Sequence, residues 1–340
     1  MPEAFLRERL EQRLEKGLLR SLKTYDNLVD LTSNDYLGLA RRPLSFQEES
    51  RGSTGSRLLT GNSLYYEEVE SQVAAYFKTE SALIYSTGYA ANLGLISAVC
   101  QGAVFFDEDI HASCHDGMKL AGADCYPFRH NDMDHLEGRL KRSDTERKFI
   151  LVESIYSTNG DRAPLEDISA LADAYGALLI VDEAHAGGVF GAGLAAHINT
   201  FARVIAFGKA FGVHGGAVIG SALLKEYLLN FSRSFIYSTA PSNHFYRSIE
   251  SSLGMVEEER PKLLELMKHY DLEAPVKAVF VKDPIKASKA LLEEGFFVRA
   301  LLPPTVRKPC LRLCLHAFNT QEEIDRFWRI LCEKDMLLPV

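Results

Sequence analysis

Short apolar runs alternate with helical patterns between residues of about 80 and 220, and this alternation limits the folds that the chain can adopt. The runs have the length and composition of buried strands, and the segments between them have helical periodicity. The strand candidates are 82–85, 103–106, 149–152, 178–181 and 203–206, and the helix candidates are 89–99, 111–121 and 165–175. The alternation predicts an α/β fold in which helices cover both faces of a mostly parallel sheet.

The last third of the chain has a different pattern. A long helical stretch follows Pro241 and runs to Glu259, and Pro261 predicts its end or a kink. A strand at 278–281, a helix at 285–293 and further strands come next. This mixture predicts a smaller α+β domain at the C-terminal end.

The N-terminal segment carries a row of leucines. A leucine recurs every four residues, at Leu6, Leu10, Leu14 and Leu18. This spacing is typical of an amphipathic helix, and we expect the helix to dock on the body of the protein. The predicted division of the chain is an N-terminal helical arm at 1–35, a large domain at 36–245 and a small C-terminal domain at 246–340.

Charge and thiol content exclude several classes of protein. The 340 residues include 38 Lys and Arg against 46 Asp and Glu, and the net charge of −8 disfavours a nucleic-acid or anionic-membrane partner. No apolar run approaches the roughly 20 residues that cross a bilayer, so no membrane span is expected. The six cysteines form no Cys-x-x-Cys pair, which favours a reducing compartment, the cytoplasm. Cys310 and Cys314 flank a strand pattern, so no metal site is predicted.

The Asp-Glu-Ala-His sequence at 182–185 first suggests a DEAH-box NTPase. Such an enzyme needs an upstream phosphate loop that ends in a lysine followed by Ser or Thr. The nearest glycine-rich segment, at 52–57, has no lysine in that place. The NTPase hypothesis therefore lacks its essential ammonium group.

A second interpretation pairs Asp182 with Lys209, which lies 27 residues later between small residues. An acid that keeps a pyridine nitrogen protonated and an amine that forms a Schiff base are the groups that pyridoxal 5'-phosphate requires. Each residue alone has a simpler explanation, because Asp182 could cap a helix and Lys209 could be a surface lysine. Their joint occurrence with a candidate anion site favours the cofactor.

The candidate anion site lies at 86–92, where a strand candidate meets a helix candidate. Backbone N–H groups of Gly88 and Tyr89 would point at a phosphate, and glycine permits its close approach. An ordinary helix start with a Ser or Thr cap is the alternative. His111 opens the next helix, and its ring could stack on the cofactor or be only a structural residue.

Seven ordered motifs resemble those of the α-oxoamine synthases, and the resemblance spans residues of about 20 to 325. The motifs lie at 34–39, 52–61, 86–89, 111–113, 157–161, 182–186 and 209. The resemblance implies a fold-type-I, pyridoxal-phosphate-dependent transferase that joins an amino acid to an acyl thioester with loss of carbon dioxide. The Pro-Pro-Thr-Val sequence at 303–306 resembles the biotin-pathway members. It implies L-alanine and a pimeloyl thioester, of CoA or of an acyl carrier protein, as substrates.

The same resemblance implies roles for individual residues and a homodimer. The catalytic residues implied are Lys209, Asp182 and His111. The cofactor contacts implied are Gly88, Tyr89, His111, Ser157, Asp182, His185 and Lys209. The substrate contacts implied are Arg20, His111, Thr305 and Arg312, of which Arg312 binds the amino acid carboxylate.

Several positions depart from the family pattern, and two of them bear on the binding of cofactor and substrate. Ala206 stands three residues before Lys209, where the family has a hydroxyl residue that donates to the cofactor phosphate, so weaker cofactor binding is expected. Leu302 stands where the biotin-pathway enzymes have an arginine. Another α-oxoamine synthase, using glycine or serine with a different acyl thioester, therefore stays open. A non-catalytic scaffold of the same fold is the third possibility, although such relatives lack the Schiff-base lysine.

Overall fold

The computed structural model describes residues 3–15, 19–20, 22, 24–25, 27–43 and 52–338. The helices within this part of the chain are α1 (Ala4–Glu15), α2 (Leu64–Tyr76), α3 (Gly88–Val99), α4 (Ala112–Ala121), α5 (Met133–Lys141), α6 (Leu165–Tyr175), α7 (Ala222–Phe231), α8 (Arg233–Ile236), α9 (Asn243–His269), α10 (Pro284–Glu293) and α11 (Gln321–Glu333). The strands are β1 (Val29–Asp30), β2 (Ser81–Tyr85), β3 (Ala103–Asp107), β4 (Asp124–Phe128), β5 (Lys148–Glu153), β6 (Ala177–Asp182), β7 (Ala202–Ala206), β8 (Gly216–Gly220), β9 (Val276–Val279), β10 (Phe296–Phe297), β11 (Arg299–Leu301) and β12 (Cys310–Cys314).

Seven strands form one sheet in the order β2-β8-β7-β6-β5-β3-β4. Five neighbouring strands of this sheet, β7, β6, β5, β3 and β4, run parallel to one another. β8 runs antiparallel to both of its neighbours, β2 and β7. The predicted α/β fold with a mostly parallel sheet is confirmed. Because parallel strands finish at the same edge of a sheet, the residues that end β5, β6 and β7 lie close together there.

Two strands of this sheet, β4 and β8, lack the apolar runs that identify the others. The sequence of β4 includes Asp124 and Pro127, and a proline is tolerated because β4 is an edge strand. β8 begins and ends with glycine and has only three apolar residues between them. Neither strand is predicted from periodicity for this reason.

Apolar side chains cover both faces of the sheet. Successive residues of a strand point to opposite faces, so Leu83 packs in one core and Ile84 in the other. In β7, Val204 packs in the same core as Leu83, and Ile205 packs in the same core as Ile84. The core that contains Ile84 extends into the C-terminal lobe, where it includes Phe327 of α11. Burial on both faces explains why the parallel strands read as continuous apolar runs.

α11 illustrates how local sequence sets a helix boundary. The Thr320 hydroxyl accepts a hydrogen bond from the Glu323 N–H, and the Glu323 carboxylate accepts one from the Thr320 N–H. This capping box satisfies two N–H groups at the helix start. Ile324, Phe327 and Leu331 follow at helical spacing and are buried, so the apolar side of α11 faces the core.

The C-terminal lobe contains an antiparallel sheet in the order β11-β12-β9. β1 pairs in parallel with β10, so the first strand of the chain belongs to this lobe. α9 spans the predicted boundary at 245/246, and the three-domain division stays a prediction. Pro261 does not end α9, which continues to His269. Burial of Leu263 and Met267 after the proline offsets the loss of its backbone N–H.

α1 forms where the leucine row predicts a helix, but the expected docking on the body is wrong. Every residue of α1 is exposed, including Leu6, Leu10 and Leu14, and Leu18 lies outside the described residues. Charged residues flank the leucines on both sides, so the apolar stripe is narrower than that of a docking helix. Among the described helices, neither α1 nor any other has the length and apolar character needed to span a membrane.

A substitution at Gly160 tests the contact between the loop after β5 and the C-terminal lobe. Gly160 has a φ of +82°, and a Cβ there would lie 1.9 Å from the Val276 carbonyl oxygen of β9. We expect Gly160→Ala to lower the free energy of unfolding by about 2–4 kcal/mol, because backbone strain and the clash add. Gly176→Ala is the matched control, since its φ is +60° with no atom within 4 Å of the added Cβ.

Urea unfolding of the two purified variants measures both effects. The control isolates the cost of the left-handed backbone, about 1 kcal/mol. Equal losses of stability in the two variants would contradict the predicted clash.

Candidate active site

Asp182 ends β6 at the edge of the sheet where the parallel strands finish. The residue is 4% exposed, and its two carboxylate oxygens accept hydrogen bonds from Asn92 Nδ2 at 2.7 Å and from the Ala184 N–H at 2.8 Å. The carboxylate is therefore held in one orientation. It lines the same cavity as Lys209.

A row of hydrogen bonds connects Asp182 to His111. Asn92 Nδ2 also lies 3.1 Å from the Ser113 hydroxyl, and this hydroxyl lies 2.7 Å from His111 Nδ1. Burial lowers the pKa of His111, and the charge of Lys209 lowers it further, while Asp182 opposes both. The imidazole is therefore neutral at neutral pH, and its orientation is fixed by Ser113.

Lys209 lies in the turn between β7 and β8, where its carbonyl accepts the Gly212 N–H at 2.9 Å. Burial lowers the pKa of Lys209, and the nearby Arg312 adds to this effect. The carboxylate of Asp182 opposes the lowering. A lowered pKa increases the fraction of free amine, which is the form that acts as a nucleophile or a base.

The start of α3 lies beside the turn that carries Lys209. The Thr87 hydroxyl caps α3 by accepting the Ala90 N–H at 2.9 Å. The first N–H groups of a helix have no partner within it, so those of Gly88 and Tyr89 are available to an anion. A Cβ on Gly88 would lie only 3.0 Å from the Cβ of Ala206, so any larger side chain would crowd this end of the cavity.

His185 is fully enclosed and is oriented by a tyrosine. Its Nδ1 lies 2.6 Å from the Tyr36 hydroxyl, which donates a hydrogen bond to Asn34 Oδ1 at 3.1 Å. Burial lowers the pKa of His185 well below its ordinary value, and the positive charges of Lys209 and Arg312 add to this. The ring is therefore neutral, and Tyr36 determines which way it faces.

Arg312 in β12 is held by acceptors on two other segments. Its Nε donates to the Ser157 carbonyl at 2.7 Å, and one Nη donates to Asn34 Oδ1 at 2.9 Å. The other Nη lies 2.9 Å from Cys314 Sγ and 3.4 Å from the Thr32 carbonyl oxygen, so all three nitrogens of the guanidinium are held. Ser157 in turn donates its backbone N–H to Glu153 Oε2 at 3.2 Å.

Two cavities meet at Lys209. The inner cavity has a volume of 260 Å³ and extends between Asp182 and Gly88. The outer cavity has a volume of 940 Å³ and extends towards Thr305 and Arg312. The residues that line both cavities are Asn34, His111, His185 and Lys209.

The structure brings the predicted site residues together, with one exception. Gly88, Tyr89 and Asp182 line the inner cavity, and Ser157, Thr305 and Arg312 line the outer one. His111, His185 and Lys209 line both. Arg20 is exposed in the N-terminal segment and is not among the described residues that line either cavity. Its predicted contact with substrate stays a prediction.

Four residues of the site have no role in the sequence analysis, namely Asn34, Tyr36, Asn92 and Glu153. Asn34 and Tyr36 lie in a family-like motif, but their contacts with Arg312 and His185 join segments far apart in the chain. Glu153 ends β5 just as Asp182 ends β6, and the two pair in register. The rule that ligands lie beyond the carboxyl ends of parallel strands could have identified it.

The inner cavity fits pyridoxal 5'-phosphate. Its wall includes Asp182, which suits a ring nitrogen, and the start of α3, whose N–H groups suit a phosphate. Lys209 lines the same cavity and supplies an amine. Asn92 Oδ1 and Glu153 Oε1 are buried at the wall without a hydrogen-bond partner among the described residues, which is typical of a site that accommodates a polar group.

Comparison with known proteins agrees with this interpretation. The sequence signature of the family described as aminotransferase class I and II matches residues 26–331. A Halalkalibacterium halodurans protein provisionally named 8-amino-7-oxononanoate synthase is 38% identical over 339 aligned positions, covering 89% of this chain and 85% of that protein. The 8-amino-7-oxononanoate synthase of Emericella nidulans is 35% identical over 381 aligned positions, which cover 94% of this chain and 92% of that protein.

Solved structures share the whole fold. Serine palmitoyltransferase from S. paucimobilis, with a bound PLP–myriocin aldimine, has a TM-score of 0.85 and 26% identity, covering 97% of this chain and 96% of that chain. The 8-amino-7-oxononanoate synthase from Francisella tularensis has a TM-score of 0.74 and 25% identity, and the match covers 92% of this chain and 98% of that chain.

The fold and the site together define a fold-type-I, pyridoxal-phosphate-dependent transferase. The chain belongs to the aminotransferase class I and II family. It is similar to the 8-amino-7-oxononanoate synthases and, like them, is a pyridoxal-phosphate-dependent C-acyltransferase.

Restoring a hydroxyl at Ala206 tests the phosphate end of the inner cavity. Ala206 has no donor to offer, although its Cβ lies next to Gly88 at the start of α3. We expect Ala206→Ser to tighten the binding of pyridoxal phosphate about 10-fold, because a hydrogen bond to a charged group is worth about 1.5–3 kcal/mol. Spectroscopic titration of the cofactor-free protein measures the affinity.

Pyridoxal, which lacks the phosphate, is the control ligand for this titration. Its affinity should be the same for both proteins. An equal gain for pyridoxal, or no gain for pyridoxal phosphate, would show that residue 206 does not contact the phosphate.

Proposed function

We propose that the protein condenses L-alanine with a pimeloyl thioester, of CoA or of an acyl carrier protein. The products are 8-amino-7-oxononanoate, carbon dioxide and the free thiol, and the reaction belongs to biotin biosynthesis. One observation carries the proposal: the outer cavity, with Arg312 on its wall, opens onto the amine of Lys209. The names of the relatives support the same reaction.

Pyridoxal phosphate, when bound, supplies a ring that accepts the electron pair left on the amino acid Cα. The Asp182 carboxylate would hold a proton on the ring nitrogen, and its two hydrogen bonds keep it oriented for that contact. Lys209 would bind the cofactor and, once the amino acid displaces it, would remove the Cα proton. Its lowered pKa favours the free amine that this proton transfer needs.

Two histidines would contact the cofactor ring as neutral groups. His111 would restrain the ring face and contact substrate, and His185 would contact the ring oxygen together with Ser157. Burial lowers the pKa of both imidazoles, so they add no cations to a site that already contains Lys209 and Arg312. No imidazolium therefore competes with the cofactor ring nitrogen for the negative charge of Asp182.

Arg312 would bind the carboxylate of the amino acid. A guanidinium binds a carboxylate through charge-assisted hydrogen bonds, and the acceptors at Ser157 and Asn34 orient it for this task. Thr305 would contact the acyl substrate further along the outer cavity. The Lys308 ammonium lies 4.3 Å from the centre of the Phe280 ring in the same cavity, where it suits an acyl chain that ends in a carboxylate. Arg20 would approach the acyl substrate from the N-terminal segment.

A homodimer is also proposed, and light scattering of the purified protein measures it. Ser238 and Thr239 are exposed after α8, and they resemble a segment that reaches across the dimer interface in the family. The exposed Tyr237 precedes them and is 72% accessible. A second subunit would bury this apolar side chain and bring donors to the phosphate of its neighbour.

The second candidate is another α-oxoamine synthase. The serine palmitoyltransferase structure has a TM-score of 0.85, against 0.74 for the 8-amino-7-oxononanoate synthase structure. The shared fold therefore accommodates serine with a different acyl thioester, and glycine is the other amino acid of this second candidate. The lack of an arginine at Leu302 is a further difference from the biotin-pathway pattern.

A substrate panel separates the two candidates. We expect thiol release to be fastest with L-alanine and a pimeloyl thioester, and slow when glycine or L-serine replaces alanine. CoA and carrier-protein thioesters run in parallel identify the acyl donor. Lys209→Ala is the control, since it removes the amine and should reduce thiol release to background. Activity confined to glycine or serine with other thioesters would reject the biotin assignment. Thiol release at background with every amino acid and thioester, in the unchanged protein as in Lys209→Ala, would favour the scaffold.

A further inference from the structure

Glu153 is a buried acid of the site that the proposed reaction does not use. It ends β5 directly beside Asp182 at the end of β6, and the two residues are 2% and 4% exposed. Its Oε2 accepts the Ser157 N–H at 3.2 Å. Its Oε1 is buried without a hydrogen-bond partner among the described residues. A carboxyl group placed this way must have a use that offsets its burial.

The contacts of Glu153 lead to the proposed carboxylate-binding residue. Ser157 donates its N–H to Glu153 and accepts the Arg312 Nε–H at its carbonyl, at 2.7 Å. Ser157, in the loop after β5, is therefore held at its N–H by Glu153, and its carbonyl holds the Arg312 guanidinium. The loop that carries Ser157 also pairs with the C-terminal lobe, because the Asn159 carbonyl accepts the Ala278 N–H of β9 at 3.2 Å.

Glu153 can make this contact without a charge. Burial raises the pKa of Glu153 to about 8, and the neighbouring Asp182 contributes, while Lys209 opposes. The carboxyl group is therefore protonated at neutral pH, but its other oxygen still accepts the Ser157 N–H. The two adjacent carboxyl groups therefore differ in their contacts, because Asp182 is held by Asn92 and Ala184 and Glu153 holds Ser157.

We propose that Glu153 is a positioning residue that fixes Ser157 and, through Ser157, orients Arg312 for the carboxylate of the amino acid substrate. The proposal rests on the proposed role of Arg312 as the carboxylate ligand. Removing the acceptor at 153 frees the loop after β5, and the Ser157 carbonyl no longer holds the guanidinium in place. The affinity for amino acid then falls, whereas the contacts of Asp182 with Asn92 and Ala184 are unaffected.

Two substitutions at Glu153 distinguish the role of its hydrogen-bond acceptor from the role of its charge. Glu153→Gln keeps an oxygen that accepts the Ser157 N–H and is neutral, so it should bind the amino acid within about twofold of the unchanged protein. Glu153→Ala removes the acceptor, so the amino acid should bind about 10-fold more weakly, with kcat and the KM for the thioester changed less than about threefold. Glu153→Met fills the side-chain volume without an acceptor and replaces the alanine variant if that variant does not fold.

The readout is the change in cofactor absorbance when the holoenzyme is titrated with L-alanine, glycine and L-serine, without thioester. All three ligands share the carboxylate, so the loss of affinity should be equal for the three. This makes the result independent of which amino acid is the true substrate. A KM measured in the thiol assay then checks the same loss during turnover.

Arg312→Ala distinguishes failure of this inference from failure of the proposed function. If Arg312→Ala weakens binding of the three amino acids and Glu153→Ala does not, the positioning role is wrong and the carboxylate role of Arg312 stands. If Arg312→Ala has no effect, the proposed carboxylate site fails, and the inference fails with it. Loss of affinity in Glu153→Gln as large as in Glu153→Ala would show that the charge matters, and would overturn the neutral-acid assignment.

Discussion

The burial of opposite charges at one edge of a parallel sheet is the constraint on which the rest of the site depends. Asp182 has a fixed carboxylate, and Lys209 has an amine whose pKa is lowered by burial and partly restored by that carboxylate. Such groups are expensive to enclose unless they are paired or serve a bound ligand. The sheet provides the place, because β5, β6 and β7 finish side by side and the turn after β7 returns the amine to the same edge.

The side chains around Asp182 and Lys209 that are held in fixed orientations are neutral. His111 and His185 are held by Ser113 and Tyr36, and burial keeps both imidazoles uncharged. The net charge of −8 plays no part in binding an anionic cofactor, which depends on the local N–H groups at the start of α3. The site therefore works through local geometry, with few charges and many fixed hydrogen bonds.

Sequence patterns were sufficient for five of the seven strands of the sheet and for most of the site, for identifiable reasons. Strand ends are visible as polar residues after apolar runs, which is how Asp182 stands out. The edge strand β4 contains a proline and β8 is bounded by glycines, so neither has a periodic pattern. The leucine row predicts α1 but not its exposure, since docking depends on partners elsewhere in the chain. The link from Glu153 to Arg312 joins β5 to β12, and only the tertiary structure brings these strands together.

Borohydride reduction followed by peptide mapping tests whether the cofactor is attached covalently to Lys209. Reduction converts a Schiff base into a stable secondary amine, so the modified lysine can be identified by mass. We expect one pyridoxyl group, on the peptide that contains Lys209. Its absence from that peptide, or its presence on another lysine, would contradict the assignment of the inner cavity as the cofactor site.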